Sequence, residues 1–569
     1  MAHLDRISGT RRLLMAMVLC LAVLAGCTGT EDEGATTTTP AGDGTAAPAG
    51  DGDEGDDAAG EPIGPLTLSF YAADFGPEFG ATSRILAEDF EQLGLTIELE
   101  PIQFTTFVDT ISAGGQLEDI ALGSVGGDPP NLDPNFWLVD LSACDGGNNG
   151  SKWCDEEFDE MVRVQASELD EETRRELVFE LQEYHHAELP WWLISTDINS
   201  SIYNSERWTN IQNPEPTSAG ESSIDPWFTM EPTGDDRILD WAHFEEVTSY
   251  NILVESAANG WMRRIYDTLL RDDNGEIIPW AAESWEAVDD TTFELTLRDG
   301  MTFHDGEPVT VDDAVFSYNY LAEQAPPQMA VGLRNVESAE AVDDSTMRIT
   351  MAQSDASFPR TSLAFIPILP QHVWEGRENP YDWQPAAEDM VIASGPWILD
   401  SWARNQEHIF SIHEDHWMAP DYDGVRVQAL GQADAIAAAM TSGEADIATA
   451  VLPAAEQDRL AEQEDFLATE TSTNHGGIMV WVNNEEEPFT DYAFRHALRL
   501  ATNKDRIVAE GWIGFAERAE EGPIPPIMEL WHNPDLEPIE YDIEAARQVL
   551  EEAGYTWNDQ GELLSPSGG

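Results

Sequence analysis

Apolar and polar positions alternate with a period of two in several short stretches of this chain, and the clearest of them lies at its centre. Phe293, Leu295 and Leu297 alternate with Glu294, Thr296 and Arg298, the pattern of a strand with one buried face. Asp299-Gly300 closes that strand, and Phe303 precedes a second turn at Asp305-Gly306. Thr310 stands where its hydroxyl can accept the orphan amide of Asp313 and so start a helix at Val311. The predicted unit is strand, turn, strand, turn, helix.

Earlier in the chain the pattern switches repeatedly between the two periods. It predicts a strand at 66–71, a helix near 82–93 ending at Gly94, a strand at 96–100, a helix near 105–113 and a strand at 120–122, a β-α-β-α-β order of the α/β kind. That last strand ends in a glycine-rich run, 123–128, with Gly123, Ser124, Val125 and Asp128. Helices are predicted at 155–165 and 170–187, the second with Glu171 and Glu172 in its first turn, where carboxylates suit the helix dipole. Pro190 ends it, and a strand follows at 191–194. Residues 212–236, rich in Pro, Ser, Gly and acid, read as a connector. Asn274-Gly275 is predicted to turn a hairpin, since both positions require positive φ.

Composition changes the picture at the amino terminus and on the surface. Residues 1–27 read as a secretion signal, with Arg6, Arg11 and Arg12 before the apolar run Leu13 to Leu24; Arg11-Arg12 also hints at twin-arginine export. Residues 28–60 carry scarcely any large apolar side chain and read as a flexible acidic tether. The chain holds 109 Asp and Glu against 27 Lys and Arg, a net charge of −82, and only Lys152 and Lys504 are lysines. Trp, Phe and β-branched residues recur throughout the body, so this acidity is read as a surface suited to high salt rather than as disorder. At about 1 M salt the screening length is roughly 3 Å and carboxylate repulsion nearly vanishes. Such a charge argues against nucleic-acid binding. Cys144 and Cys154, exported and close in sequence, are expected to pair, with about 3 kcal/mol of stabilisation by loop closure. A zinc site would need further ligands nearby, and none is present.

The string AESW, then LRDGMTFHDGEPVTVDDAVFS, within residues 282–317, closely resembles the signature of family five of the extracellular solute-binding proteins, the peptide and nickel type that serves ABC transporters. Further blocks are similar to that family: 336–351, 366–374, 394–402, 442–448, 482–508 and 541–557. The resemblance implies an α/β, two-lobed periplasmic-binding-protein-like fold (type II, cluster C) with a hinge. It implies a monomer that takes a solute, most readily a short peptide, and delivers it to ABC permease subunits, with no cofactor, no metal and no enzyme activity. Leu24-Ala25-Gly26-Cys27 resembles a lipobox. Cleavage before Cys27 would leave a thiol for diacylation, and two chains suffice for stable anchoring to the outer face of the cell membrane.

The order of blocks departs from the family. The signature normally comes early, whereas here more than two hundred residues precede it, and the pattern of 155–187 normally lies near the carboxyl terminus. Joining 541–569 to 61–71 restores the usual mid-chain order of helix, turn, strand, turn, strand. A circular permutation is therefore expected, with 212–236 bridging the former termini. Residues 196–484 then form lobe one with its inserted subdomain, 61–195 and 485–569 form lobe two, and the chain crosses the hinge near 195 and near 484. The resemblance places Asp128 where peptide-binding members hold an ammonium. Small residues Gly123, Ser124 and Val125 would let a peptide pair with the strand edge, and Glu245, Glu246, Val247, Thr248, Ser249 and Tyr250 fall where cleft-lining backbone is expected.

No catalytic constellation emerges. Gly123-Ser124-Val125-Gly126 is not a nucleophile elbow, and HEDH at 413–416 lacks the spacing of HExxH. His185, His186 and His304 read as surface or packing residues. Among so many carboxylates a glycosidase dyad cannot be singled out. The alternative reading, a secreted hydrolase acting on peptides or glycans, would be separated from a binding protein by product formation.

Overall fold

The strand-like stretches divide between one large sheet and a smaller antiparallel one. The computed structural model describes residues 60–566 apart from 73–76, 113–114, 127–128, 212–224, 244–248, 255–262, 274–275, 327–328, 384–390, 450–451, 453, 474–475 and 514. The signal, the tether and Cys27 lie outside the described residues, as does the Asn274-Gly275 turn. Among those described, twelve strands join: β1 (Leu66–Tyr71), β2 (Ile97–Ile102), β3 (Ile120–Val125), β4 (Trp191–Asn204), β5 (Ile238–His243), β6 (Trp397–Ala403), β7 (Glu407–Ile412), β8 (Gly424–Ala429), β9 (Ile447–Thr449), β10 (Leu467–Thr473), β11 (Gly477–Val482) and β12 (Ala516–Arg518). The order is β6-β7-β8-β5-β9-β4-β11-β3-β1-β2, with β10 and β12 also on β4. The expected β-α-β-α-β run is present, β1 pairing parallel with β2 and β3 and helices α1 (Pro77–Glu91) and α2 (Phe104–Ile111) forming the crossovers.

Helices α3 (Glu156–Ser167) and α4 (Glu171–Glu188) begin one residue later than their patterns suggest, because Asp155 and Asp170 act as caps. The Asp155 carboxylate accepts the amides of Glu157 and Phe158 at 2.9 and 3.0 Å, and that of Asp170 accepts Thr173 at 3.0 Å. Each such cap contributes about 1 kcal/mol. The loop before α3 is closed by the Cys144–Cys154 disulfide, Cα atoms 4.4 Å apart.

The central alternation holds: Phe293, Leu295 and Leu297 are buried on a strand, 292–297, of a separate four-stranded antiparallel sheet. One detail differs from expectation. Phe303 lies on no strand; a single bridge from Thr302 to Pro308 replaces it, since the two tight turns leave no room for a ladder. At the start of helix Val311–Gln324 Thr310 and Asp313 form a capping box. The Thr310 hydroxyl and amide both bond the Asp313 carboxylate, at 2.7 and 2.9 Å.

Buried side chains sort into two principal cores. One gathers residues between Trp208 and Ile447 and is dense in indoles, with the Trp227 ring against both Trp241 and Trp397. The other combines Leu66 to Ile194 with Ile478 to Leu563. β4 belongs to both: Trp191 to Ile194 pack in the second, whereas Ile202 packs in a satellite of the first with Leu467. Ile478 to Val482, just before the boundary expected near 484, are buried in the second core, and β10 and β11 pair with opposite halves of β4. The continuous burial of 477–482, both faces alike, disguised that strand's allegiance.

Part of the supposed connector is core. Trp227 and Met230 are fully buried, and Trp208 pairs with Pro232 in a small ribbon. At the other end, Ile63 donates to the Leu563 carbonyl and Ser565 to that of Glu61, both at 2.9 Å, and Pro62 bridges Leu564. Residues 541–566 and 61–71 thus share one edge of the second core. Among the described residues no helix is long and apolar enough to cross a membrane.

Candidate functional site

In open α/β sheets ligands meet the carboxyl ends of parallel strands. Here those ends are Tyr71 of β1, Val125 of β3 and His243 of β5. Of the expected site residues, Asp128, Glu245, Glu246, Val247 and Thr248 lie outside the described residues, so the structure bears on the others only.

Gly123, Ser124 and Val125 have a strand partner on one side only. On one side they pair with Met479, Ile478 and Gly477 of β11. On the other the ladder to β1 stops at Leu122, and the Tyr71 hydroxyl donates to the Ser124 carbonyl at 3.2 Å. Gly123 is small for its own core, since a Cβ there would lie 2.5 Å from the Phe107 ring. Close packing against Phe107 under the sheet requires a glycine there. The Tyr250 side chain is fully buried, its hydroxyl 2.5 Å from Nδ1 of His408 and its ring edge-on to Trp402. Ser249 turns inward and accepts the Asn251 amide at 3.0 Å. Asn251 in turn donates to the carbonyls of Pro380 and Trp383 at 2.7 and 2.8 Å. This loop is anchored in the first core, with no side chain left over at 249 or 250 to face a cleft.

Sequence reading missed the place where the lobes touch. Arg174 of α4 grips Asp133 with two hydrogen bonds, 3.0 and 2.6 Å, both side chains about 95% buried. Its Nε donates to Gln165, which donates to Asn135 at 2.6 Å, and its guanidinium lies 4.9 Å over Trp531. From the other lobe, the Ala356 amide donates to the Ala166 carbonyl at 2.8 Å, and the Ser354 hydroxyl to that of Ser167 at 2.9 Å. Arg174 also reaches the Ala356 carbonyl at 3.5 Å. Burial by itself would raise the Asp133 pKa, but Arg174, the Asn135 amide and nearby Arg360 outweigh it and hold the carboxyl below the usual range. Arg360, paired with Asp272, is itself pushed down to about 10 by burial. The arrangement can hold two lobes together while keeping every charge matched. No local pattern announces it, because Ala166 and Ala356 are 190 residues apart and Ser167 and Ser354 are 187.

A pocket of about 280 Å³ opens beside the central signature, lined among others by Glu283, Arg298, Thr302, His413, His416 and Trp417. The HEDH run, unpromising as a metal motif, packs here. His413 meets Thr302 at 3.1 Å, and His416 meets buried Asp267 at 3.2 Å and stacks on Trp417 at 3.9 Å. His304 binds the Gly395 carbonyl at 2.9 Å, and burial lowers its pKa to about 4. His185 packs on Trp191 and is lowered to about 3, again by burial. These histidines serve packing. Among the described residues no group of His, Cys, Asp and Glu is arranged to hold a metal ion.

Residues 276–567, just over half of the chain, match the family described as bacterial extracellular solute-binding proteins, family 5. The chain belongs to that family. Curated relatives include the heme-binding protein A of Haemophilus influenzae, 26% identical over 333 residues, or 53% of this chain and 59% of that one. The nickel-binding periplasmic protein of Escherichia coli is 24% identical over 51% of this chain and 56% of its own. The oligopeptide-binding protein AppA of Bacillus subtilis is 26% identical over 55% and 58%. The family 5 chain therefore spans somewhat over half the length of the curated relatives it matches. Among solved structures, a periplasmic oligopeptide-binding protein of Thermotoga maritima overlaps 58% of this chain and 66% of its own, at 20% identity and a TM-score of 0.48.

Proposed function

We propose that this family 5 protein captures an extracytoplasmic solute between its lobes and hands it to the permease of an ABC importer. The observation that carries the reading is the pair of separate cores between which the chain passes along β4 and at the β10–β11 crossing, with the Arg174 network closing the lobes on one side. Two lobes on a narrow double connection are built for hinge motion. Relatives named for heme, nickel and oligopeptides leave the solute class open; the amine-anchor position Asp128 favours a short peptide or another amine-bearing solute. A thermal-shift screen of peptides, sugars and metal chelates in molar salt tests capture, since a ligand at 100 times its dissociation constant adds about 2.7 kcal/mol. Calorimetry on Asp128→Asn tests the anchor: loss of about 2 to 5 kcal/mol of binding is expected, and unchanged affinity removes the amine from the hypothesis.

The same reading includes a lipid anchor at Cys27, a surface suited to high salt, and a permuted order. Cys27→Ala is expected to release the protein into the medium. Near-ultraviolet circular dichroism that is the same in molar and millimolar salt would count against the halophilic surface. The shared edge of 61–71 and 541–566 supports permutation. A chain reordered as 225–566 followed by 61–211 is expected to fold and bind as the natural one does; failure of that chain to fold would refute the permuted reading.

A further inference from the structure

Away from the lobe contact, the second lobe holds a buried charge cluster that solute capture does not use. Arg499 lies on the helix Tyr492–Leu500, α5, and its side chain is 0% exposed; those of Lys504 and Glu521 are 2% and 7% exposed. One carboxylate oxygen, Oε1 of Glu521, accepts both the Arg499 Nη2 bond and that of Lys504, the latter at 3.2 Å. Lys504 completes its set on the Ala519 carbonyl at 3.1 Å. Arg499 does not: its Nε and Nη1 are buried with no hydrogen-bond partner among the described residues.

The neighbouring charges are committed elsewhere. Arg518 bonds Glu540 at 2.9 Å and lies 3.8 Å from Asp505, and Glu520 meets His532 at 3.1 Å. His186 of α4 and His496 of α5 face the cluster, both held below their ordinary pKa by burial, with Arg499 adding to the effect. Two cations therefore share one carboxylate in a place closed to water. An uncompensated buried charge costs several kcal/mol, and each unpaired buried N–H adds a desolvation penalty of about 1–3 kcal/mol.

We infer that this cluster is an anion site, taking one small monovalent anion of halide size on the N–H groups of Arg499 that the protein leaves unpartnered. The full burial of Arg499 sets the size limit, because a larger oxyanion would have to part the helix from the segment 519–522. The site also bears on the hinge. β12 pairs with β4 at Ser195 to Asp197 and runs directly into Ala519 to Glu521, so an ion here would stiffen the segment clamped to the shared strand.

Salt acts on the acidic surface through its cations, so exchanging the anion at fixed sodium isolates the site. Thermal unfolding of the full chain is expected at higher temperature in sodium chloride than in sodium gluconate of equal concentration. The gap should grow with the logarithm of chloride concentration above its dissociation constant and close in Arg499→Met. Crystals grown in sodium bromide should show an anomalous peak against Arg499, a readout that needs no variant. Coincident chloride and gluconate curves for the natural chain, or bromide crystals with no peak at Arg499, would overturn the inference.

Discussion

Arg174 and Arg499 are sealed in the same core, yet they are served differently. Arg174 has a carboxylate to itself, gripped twice, plus a glutamine, an indole and a carbonyl from the other lobe. Arg499 divides one carboxylate oxygen with Lys504 and keeps two nitrogens unpartnered among the described residues. Both arrangements hold the acid, Asp133 or Glu521, below its usual pKa. The second also strains the amine: burial, with Arg499 beside it, pushes Lys504 down to about 7 against the pull of Glu521. A buried cation is well kept when its partner is exclusive; where the partner is shared, the site stays open to a counter-ion from outside.

The sharpest way to break this contrast is Asp133→Asn, which strands Arg174 and should cost about 3–5 kcal/mol in urea unfolding at molar salt; a loss under 1 kcal/mol would deny the pair its exclusive role. Removing the disulfide with Cys144→Ser and Cys154→Ser gives a covalent scale in the same lobe, about 3 kcal/mol by loop closure. Next comes a pH effect. With its folded pKa near 7 and an unfolded value of 10.5, Lys504 releases its proton in the folded chain first. Between those values the unfolded chain binds more protons, and stability should rise with pH, by up to about 1.4 kcal/mol per unit from this group. The difference between the natural chain and Lys504→Met, followed in gluconate from pH 7 to 9.5, should carry that slope; a flat difference would show the amine is not strained. The smallest effect is expected of Arg499→Met in gluconate, within about 1 kcal/mol, because it removes a surplus charge as well as a bond. A cost equal to that of Arg174→Met would erase the distinction between the two clusters.

Much of the fold was legible because its signals are local. Alternation at 293–297, the aspartates before α3 and α4, and two cysteines ten apart each act within a few residues. The partners of Gly123 and Tyr250 were hidden for the opposite reason. A glycine at a strand end looks the same whether a ligand or Phe107 lies above it, and a tyrosine among acidic residues gives no sign that His408, 158 residues on, awaits its hydroxyl. The lobe contact was invisible in principle, since neither Asp133 nor Arg174 is unusual until folding brings Ala356 beside them. The core that 477–482 joins was hidden because the stretch is apolar on both faces, a pattern that says buried without saying where.

The continuity of β4 has a consequence for how such a chain can be rearranged. Segments that recombine freely are those that can be cut at exposed loops, yet separating these lobes means severing one strand between Ser195 and Ser201, where β10 and β12 both pair with it. Each half would then carry a raw edge of unpaired backbone, a template for wrong pairing. A chimaera that joins one lobe of this chain to the other lobe of a relative is therefore expected to stay soluble only when β4 travels together with β10, β11 and β12. The unit of exchange is the shared strand with its partners, and the lobes are passengers on it.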